Sequence, residues 1–62
     1  MNRYLFRVQY TYSDDSVSYE PVCTRAETEA EALTDVTDAT VRYAAAVGAT
    51  RTFTLVVTTA DE

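Results

Sequence analysis

Three kinds of residue in this chain could do chemistry: one cysteine, a run of carboxylates and a set of tyrosines. Cys23 is the candidate nucleophile. It lies just before an expected helix start, where the helix dipole favours a thiolate. Its place in an alternating strand points it inward, opposite Phe6, and a buried cysteine usually serves as a small apolar side chain. No histidine and no lysine accompany it, and the chain holds a single glycine, Gly48. Ser-His and Cys-His pairs and glycine-rich phosphate loops are therefore excluded. One cysteine without histidine leaves no ordinary zinc site and no intramolecular disulfide. The "SDDS" stretch at 13–16 lacks the glycine and further carboxylates of a calcium loop. These residues describe a protein that is not an enzyme and needs no metal or cofactor.

The carboxylates are better placed to bind than to catalyse. On a helix, Glu27, Glu31, Asp35 and Asp38 share one outward face. Like charges four residues apart cost about 0.2–0.5 kcal/mol each. Acids in the first turn are compensated by the macrodipole, but Asp35 and Asp38 lie beyond it. A solvated face that keeps a small protein soluble would explain the run. A surface for a basic partner, imitating nucleic acid, would explain it too. The imitation is sparse: these carboxylates come roughly every 4–5 Å along the helix, whereas duplex DNA carries a charge about every 1.7 Å. A dimer would improve it.

Tyr4, Tyr10, Tyr12 and Tyr19 could form a base-stacking platform. All four fall on the face expected to be core, beside Phe6, so packing is the simpler role. Tyr43 lies on the helix flank.

These side chains need elements to hold them. "RYLFRVQYTY", 3–12, alternates with period two: Tyr4, Phe6, Val8, Tyr10 and Tyr12 on one face, Arg3, Leu5, Arg7, Gln9 and Thr11 on the other. That is the signal of a half-buried strand. After the 13–16 turn, residues 17–23 return as a second strand. A turn at Asp14 and Asp15 pairs Tyr12 with Val17, Tyr10 with Tyr19, Val8 with Pro21 and Phe6 with Cys23. Pro21 cannot donate to a ladder, which makes this an edge strand. "TRAE", 24–27, fits a capping box, with "TEAE", 28–31, a second candidate one turn later. A helix is expected over about 25–47, stopped by Gly48. Its inward stripe is Ala26, Ala30, Leu33, Thr37, Thr40, Val41, Ala44 and Val47, with Val36 on the flank. Residues 51–59 form a third strand, with Phe53, Leu55 and Val57 inward and Thr52, Thr54, Val56 and Thr58 outward. The fold class is α+β in ββαβ order: a three-stranded antiparallel sheet, order 2-1-3, with one long helix on one face. The whole chain, 1–62, is a single domain.

The third strand is the anomaly. Thr52, Phe53, Thr54, Leu55, Val56, Val57 and Thr58 carry no charge, and the edge shows none of the usual guards of Lys, Pro or a bulge. Self-pairing into a six-stranded sheet would occupy it and make a homodimer. A chain of 62 residues is marginal without some such staple.

Bulk properties narrow the function. The net charge is −5 and the five basic residues are scattered arginines, so direct binding to nucleic acid is disfavoured. No leader and no long apolar run are visible, so a cytoplasmic protein that does not enter membranes, complete from Met1, is expected. The function expected is a small acidic protein-binding module. Its most concrete form is an inhibitor of a basic nucleic-acid-handling protein, similar in size and charge to the anti-restriction and anti-CRISPR proteins of phages. Glu27, Glu31, Asp35 and Asp38 would be its contact face. The alternative is an accessory subunit docking on a larger assembly through its open sheet face or edge strand.

Overall fold

The computed structural model describes residues 1–60. It contains β1 (Asn2–Thr11), β2 (Val17–Ala26), α1 (Glu29–Val47) and β3 (Thr50–Ala60). The strands form one antiparallel sheet in the order β2-β1-β3, and α1 packs on one face. The architecture is the expected α+β arrangement of three strands and one helix.

β1 supplies the centre of the core because its alternation is unbroken. Tyr4, Phe6, Val8 and Tyr10 are all buried. The partners of these residues on β2 differ from expectation by one place. Tyr10 faces Ser18, Val8 faces Glu20, Phe6 faces Val22 and Tyr4 faces Thr24. The turn causes the slip. Asp15 N–H donates to the Tyr12 carbonyl at 3.0 Å, and Tyr12 N–H donates to the Ser16 carbonyl at 2.9 Å. Asp15 takes φ 68°, so residues 13–15 form a three-residue loop closed by a left-handed residue. Asp14 Oδ1 holds it by accepting from the Ser16 N–H at 3.0 Å and the Ser16 hydroxyl at 2.6 Å. An odd loop reverses the facing of every residue that follows. Val17, Tyr19, Pro21 and Cys23 therefore lie on the open face, and the expected pairs of Tyr10 with Tyr19 and Phe6 with Cys23 do not form.

β2 also runs further than expected, to Ala26, which is buried opposite Asn2. The helix starts at Glu29 rather than near residue 25. Thr28, not Thr24, is its N-cap, and its hydroxyl accepts from the Glu31 N–H at 3.2 Å. The Glu31 carboxylate returns to the Glu27 N–H at 3.4 Å. Gly48 ends the helix in the left-handed region, at φ 67°.

The buried stripe of α1 is Ala32, Val36, Thr40 and Ala44. Leu33, Val41 and Val47, expected inside, are each at least 40 % exposed, and Ala30 is exposed as well. A stripe spaced strictly by four drifts about 40° per step, so α1 crosses the sheet obliquely. Alanine at both ends of the stripe lets the helix come close. Arg51 then pins it from β3: its guanidinium donates to the Thr37 carbonyl at 2.6 Å and to the Thr40 hydroxyl at 2.9 Å.

β3 keeps the expected facing only as far as Leu55. Phe53 pairs with Val8 and Leu55 with Phe6, but Val57 pairs with Leu5 and Thr58 with Tyr4. Val56 is the extra residue of a β-bulge, which moves Val57 to the open face and Thr58 to the helix side. The edge thus carries one of the guards that the sequence did not reveal.

Candidate protein-interaction surfaces

The outward side of α1 presents the expected acidic ridge. Glu31, Asp35 and Asp38 lie opposite the buried stripe and are exposed, and Glu27 continues the line from the connection before the N-cap. Glu27 is therefore tied to the helix start by its N–H donating to Glu31 rather than by helical backbone. Arg42 is the first cation met along this line. Thr34 stands among the acids, but its hydroxyl donates back to the Ala30 carbonyl at 3.1 Å. The ridge is a row of carboxylates, most of them on a fixed helical frame, with chemistry suited to cationic side chains.

The opposite face of the molecule holds arginines. Strand pairing places Arg3, Leu5, Arg7 and Gln9 of β1 beside Tyr19, Pro21, Cys23 and Arg25 of β2. Glu20 is the only acid within the described strands, and it faces the helix side opposite Val8. Arg7 stacks over the Tyr19 ring with its guanidinium carbon 5.3 Å from the centroid. Leu5 lies between Cys23 and Val57, a short apolar bar across all three strands. The alternation of 17–23 puts Tyr19 in the core and Cys23 opposite Phe6. Both are exposed instead, so Cys23 is accessible to solvent and does not fill the interior. Among the described strand residues, no carboxylate lies on this face beside it.

The remaining tyrosines act as core and seam. Tyr10 donates to Glu20 Oε2 at 2.8 Å, and its ring meets Tyr43 edge-on with centroids 4.9 Å apart. Burial, reinforced by the hydrogen bond to Glu20, pushes the Tyr10 phenol up to about 12. Tyr12 is half-buried rather than fully inside, with its hydroxyl 2.8 Å from Ser18 Oγ and 3.1 Å from the Tyr43 hydroxyl. Hydrogen bonding from Ser18, then from Tyr43, holds Tyr12 below the ordinary phenol value, and the same contact with Tyr12 raises Tyr43. The cluster closes the seam between β2 and α1. A shallow cleft there is lined by Tyr10, Glu20, Ala39, Thr40 and Tyr43.

The seam on the other side of the helix is less well closed. Val41, Ala44, Ala45, Ala49, Thr50, Arg51 and Phe53 line a groove between α1 and β3. Val41, which follows the stripe residue Thr40 by one place, stands over the groove with Ala44 and Ala45. Phe53 and Leu55 are only half-buried beneath them. The sequence pattern hides this groove because it assigns Val41 to the core.

Comparison with known proteins adds no relative: no family model, curated protein or solved structure matches the chain. Among the described residues no group of metal-ligating side chains could hold an ion, and no helix is long and apolar enough to cross a membrane.

Proposed function

We propose that this protein is a small binding module that works by presenting the α1 carboxylates to a basic protein surface. The observation that supports the reading is the division of charge. Glu27, Glu31, Asp35 and Asp38 stand exposed on one side, while Arg3, Arg7 and Arg25 occupy the open sheet face on the other. A surface meant only for solubility gains nothing from such separation, since mixed signs serve solubility better. An interface does gain, because a field of one sign steers a partner of the other. The most concrete partner class is a nucleic-acid-handling protein, whose own phosphate site is a basic groove. Blocking such a groove requires no catalytic group. A reducing, cytoplasmic setting belongs to the same reading and suits the exposed thiol.

The test is calorimetric titration of a defined arginine-rich peptide into the protein at low and high salt. Binding should weaken as salt rises. The double substitution Asp35→Lys and Asp38→Lys should abolish it. Reversing the same number of charges at the last two residues of the sequence, Asp61→Lys and Glu62→Lys, should leave most of it. Equal loss in both variants would reduce the ridge to bulk charge and end the proposal.

A second reading rests on the open sheet face. Exposed Tyr19, stacked under Arg7 beside the Leu5–Cys23–Val57 bar, has the aromatic and arginine content of an interface centre. An accessory subunit docking there would lose its partner on Tyr19→Ala and be indifferent to the changes at Asp35 and Asp38.

A further inference from the structure

We infer that the first half of the β3 edge, with the groove that α1 leaves above it, receives a second copy of this chain, the two β3 strands pairing antiparallel about a two-fold axis at Phe53. The inference stands apart from the acidic-ridge reading and uses different residues.

The edge itself is the first reason. β3 is bonded to β1 on one side only, so alternate backbone groups along its other side are unpaired within the sheet. Val56 interrupts the strand, and a bulge bends and twists an edge away from pairing. That guard divides β3. Residues 57–60 lie beyond it in sequence, whereas residues 50–55 precede it and retain regular pairing with β1. The pairable stretch is therefore shorter than the sequence suggests, ending at Leu55 instead of Thr58.

Self-complementarity is the second reason. A two-fold axis normal to the sheet sets a residue opposite itself and keeps both helices on the same side. Centred on Phe53, it sets Thr52 opposite Thr54 of the other copy and Arg51 opposite Leu55. No like charges meet, threonines meet on the open face, and the half-buried Phe53 rings meet on the helix side, all favourable cross-strand pairings. Val41 of α1, exposed and lining the groove beside Phe53, then lies over the joint from both copies. An axis lying in the sheet plane would put the two helices on opposite sides and leave both Val41 side chains wet.

Area sets the strength. The pairable stretch, residues 50–55, runs about 20 Å at 3.4 Å per residue. With a helix-on-sheet depth of roughly 15 Å, the side it presents is on the order of 300 Å² per copy, or about 600 Å² in all. That is below the standard size of a stable interface and belongs to weak, transient association. The dimer should be concentration-dependent, half-formed only at roughly hundreds of micromolar protein, on the order expected for a contact of this size.

Light scattering on a sizing column, over a concentration series, tests this with the purified chain alone. The expected result is a mass that rises from 6.9 kDa to twice that value. Thr52→Lys with Thr54→Lys puts like charges face to face without touching the core, and should shift the half-dimer concentration upward by at least about tenfold. Circular dichroism at dilute concentration should show the variant still folded. In a Cys23→Ser background, a mixture of Thr52→Cys and Thr54→Cys chains should form the mixed disulfide in preference to either homodisulfide, which reads the register directly. A wild-type mass fixed at 6.9 kDa at millimolar concentration would overturn the inference and leave the edge to a strand from a different protein. A dimer lost on Tyr19→Glu but kept in the lysine variant would overturn it too, by moving the contact to the open sheet face.

Discussion

A single phenol shows how tightly the core couples to protonation. Tyr10 is 2 % exposed and donates its hydroxyl hydrogen to Glu20. Folding holds its pKa at about 12, above the 10.0 of an unfolded chain. The folded state thus binds this proton more tightly than the unfolded state does. The resulting stability is complete below about pH 10 and is lost as pH rises from there towards about 12. Urea unfolding at about pH 9 and about pH 11, on either side of the unfolded value, should show the midpoint fall at the higher pH. Tyr10→Phe should start lower, having lost the bond to Glu20, but its midpoint should fall less over the same interval. An unchanged slope would assign the alkaline loss to other groups. Cys23 gives the opposite kind of prediction. Its thiol is exposed on the open sheet face, so a maleimide should label the folded protein fully, at a rate that denaturant barely changes. Cys23→Ser should alter stability by no more than about 0.5 kcal/mol. A thiol that labels only after unfolding would mean that Cys23 faces the core, as the apolar alternation of 17–23 suggests. That alternation is legible and misleading. The pattern in Val17, Tyr19, Pro21 and Cys23 competes with the turn, and the turn decides, because Asp14 and Asp15 close an odd loop.

At the scale of elements, the two ends of α1 show what local chemistry can specify. Both candidate capping boxes are visible in the sequence, and only tertiary structure distinguishes them. Thr24 pairs with Tyr4 within the sheet, which leaves Thr28 to cap. Thr28→Ala should therefore cost about 1 kcal/mol in chemical unfolding, as the loss of an N-cap does. Thr24→Val should be close to neutral, since a β-branched apolar residue suits its strand position. Equal costs at both sites would contradict the observed start. Gly48 offers a cleaner measurement at the other end. A Cβ there would meet nothing within 4 Å, so Gly48→Ala should cost about 1 kcal/mol from backbone conformation alone. The β1 strand and the existence of β3 are readable because period-two alternation depends only on neighbours. The helix stripe is less so. Leu33, Val41 and Val47 are more apolar than Ala32 and Ala44, yet the alanines lie against the sheet because close approach favours small side chains. The bulge leaves no mark in "LVVT", where either valine could be the extra residue.

For the molecule as a whole, the charge division that suits a partner should burden the isolated fold. The chain carries −5, and the ridge carboxylates of α1 stand four residues apart at Glu31 and Asp35, with Asp38 next in line and Glu27 just before the N-cap. Each such neighbour pair costs about 0.2–0.5 kcal/mol when unscreened. Arg7, stacked on Tyr19 across the open sheet face, is on the far side of the core and relieves this little. Salt should accordingly stabilise the protein. Raising sodium chloride to about 0.5 M shortens the screening length to roughly 4 Å, below the distance between successive ridge carboxylates, and the thermal midpoint should rise. Salt also strengthens apolar burial, so the rise alone decides nothing. The informative comparison is the Asp35→Asn, Asp38→Asn variant, measured at one protein concentration low enough to keep both chains monomeric. With half the ridge neutral, the variant should be more stable than the parent at low salt and should gain less from added salt. The two should converge at about 0.5 M, where screening is nearly complete. Parallel responses would show that the ridge carries no electrostatic strain. The cost that argues for a retained binding face would then be absent, and the carboxylates of α1 would be explained by solvation alone.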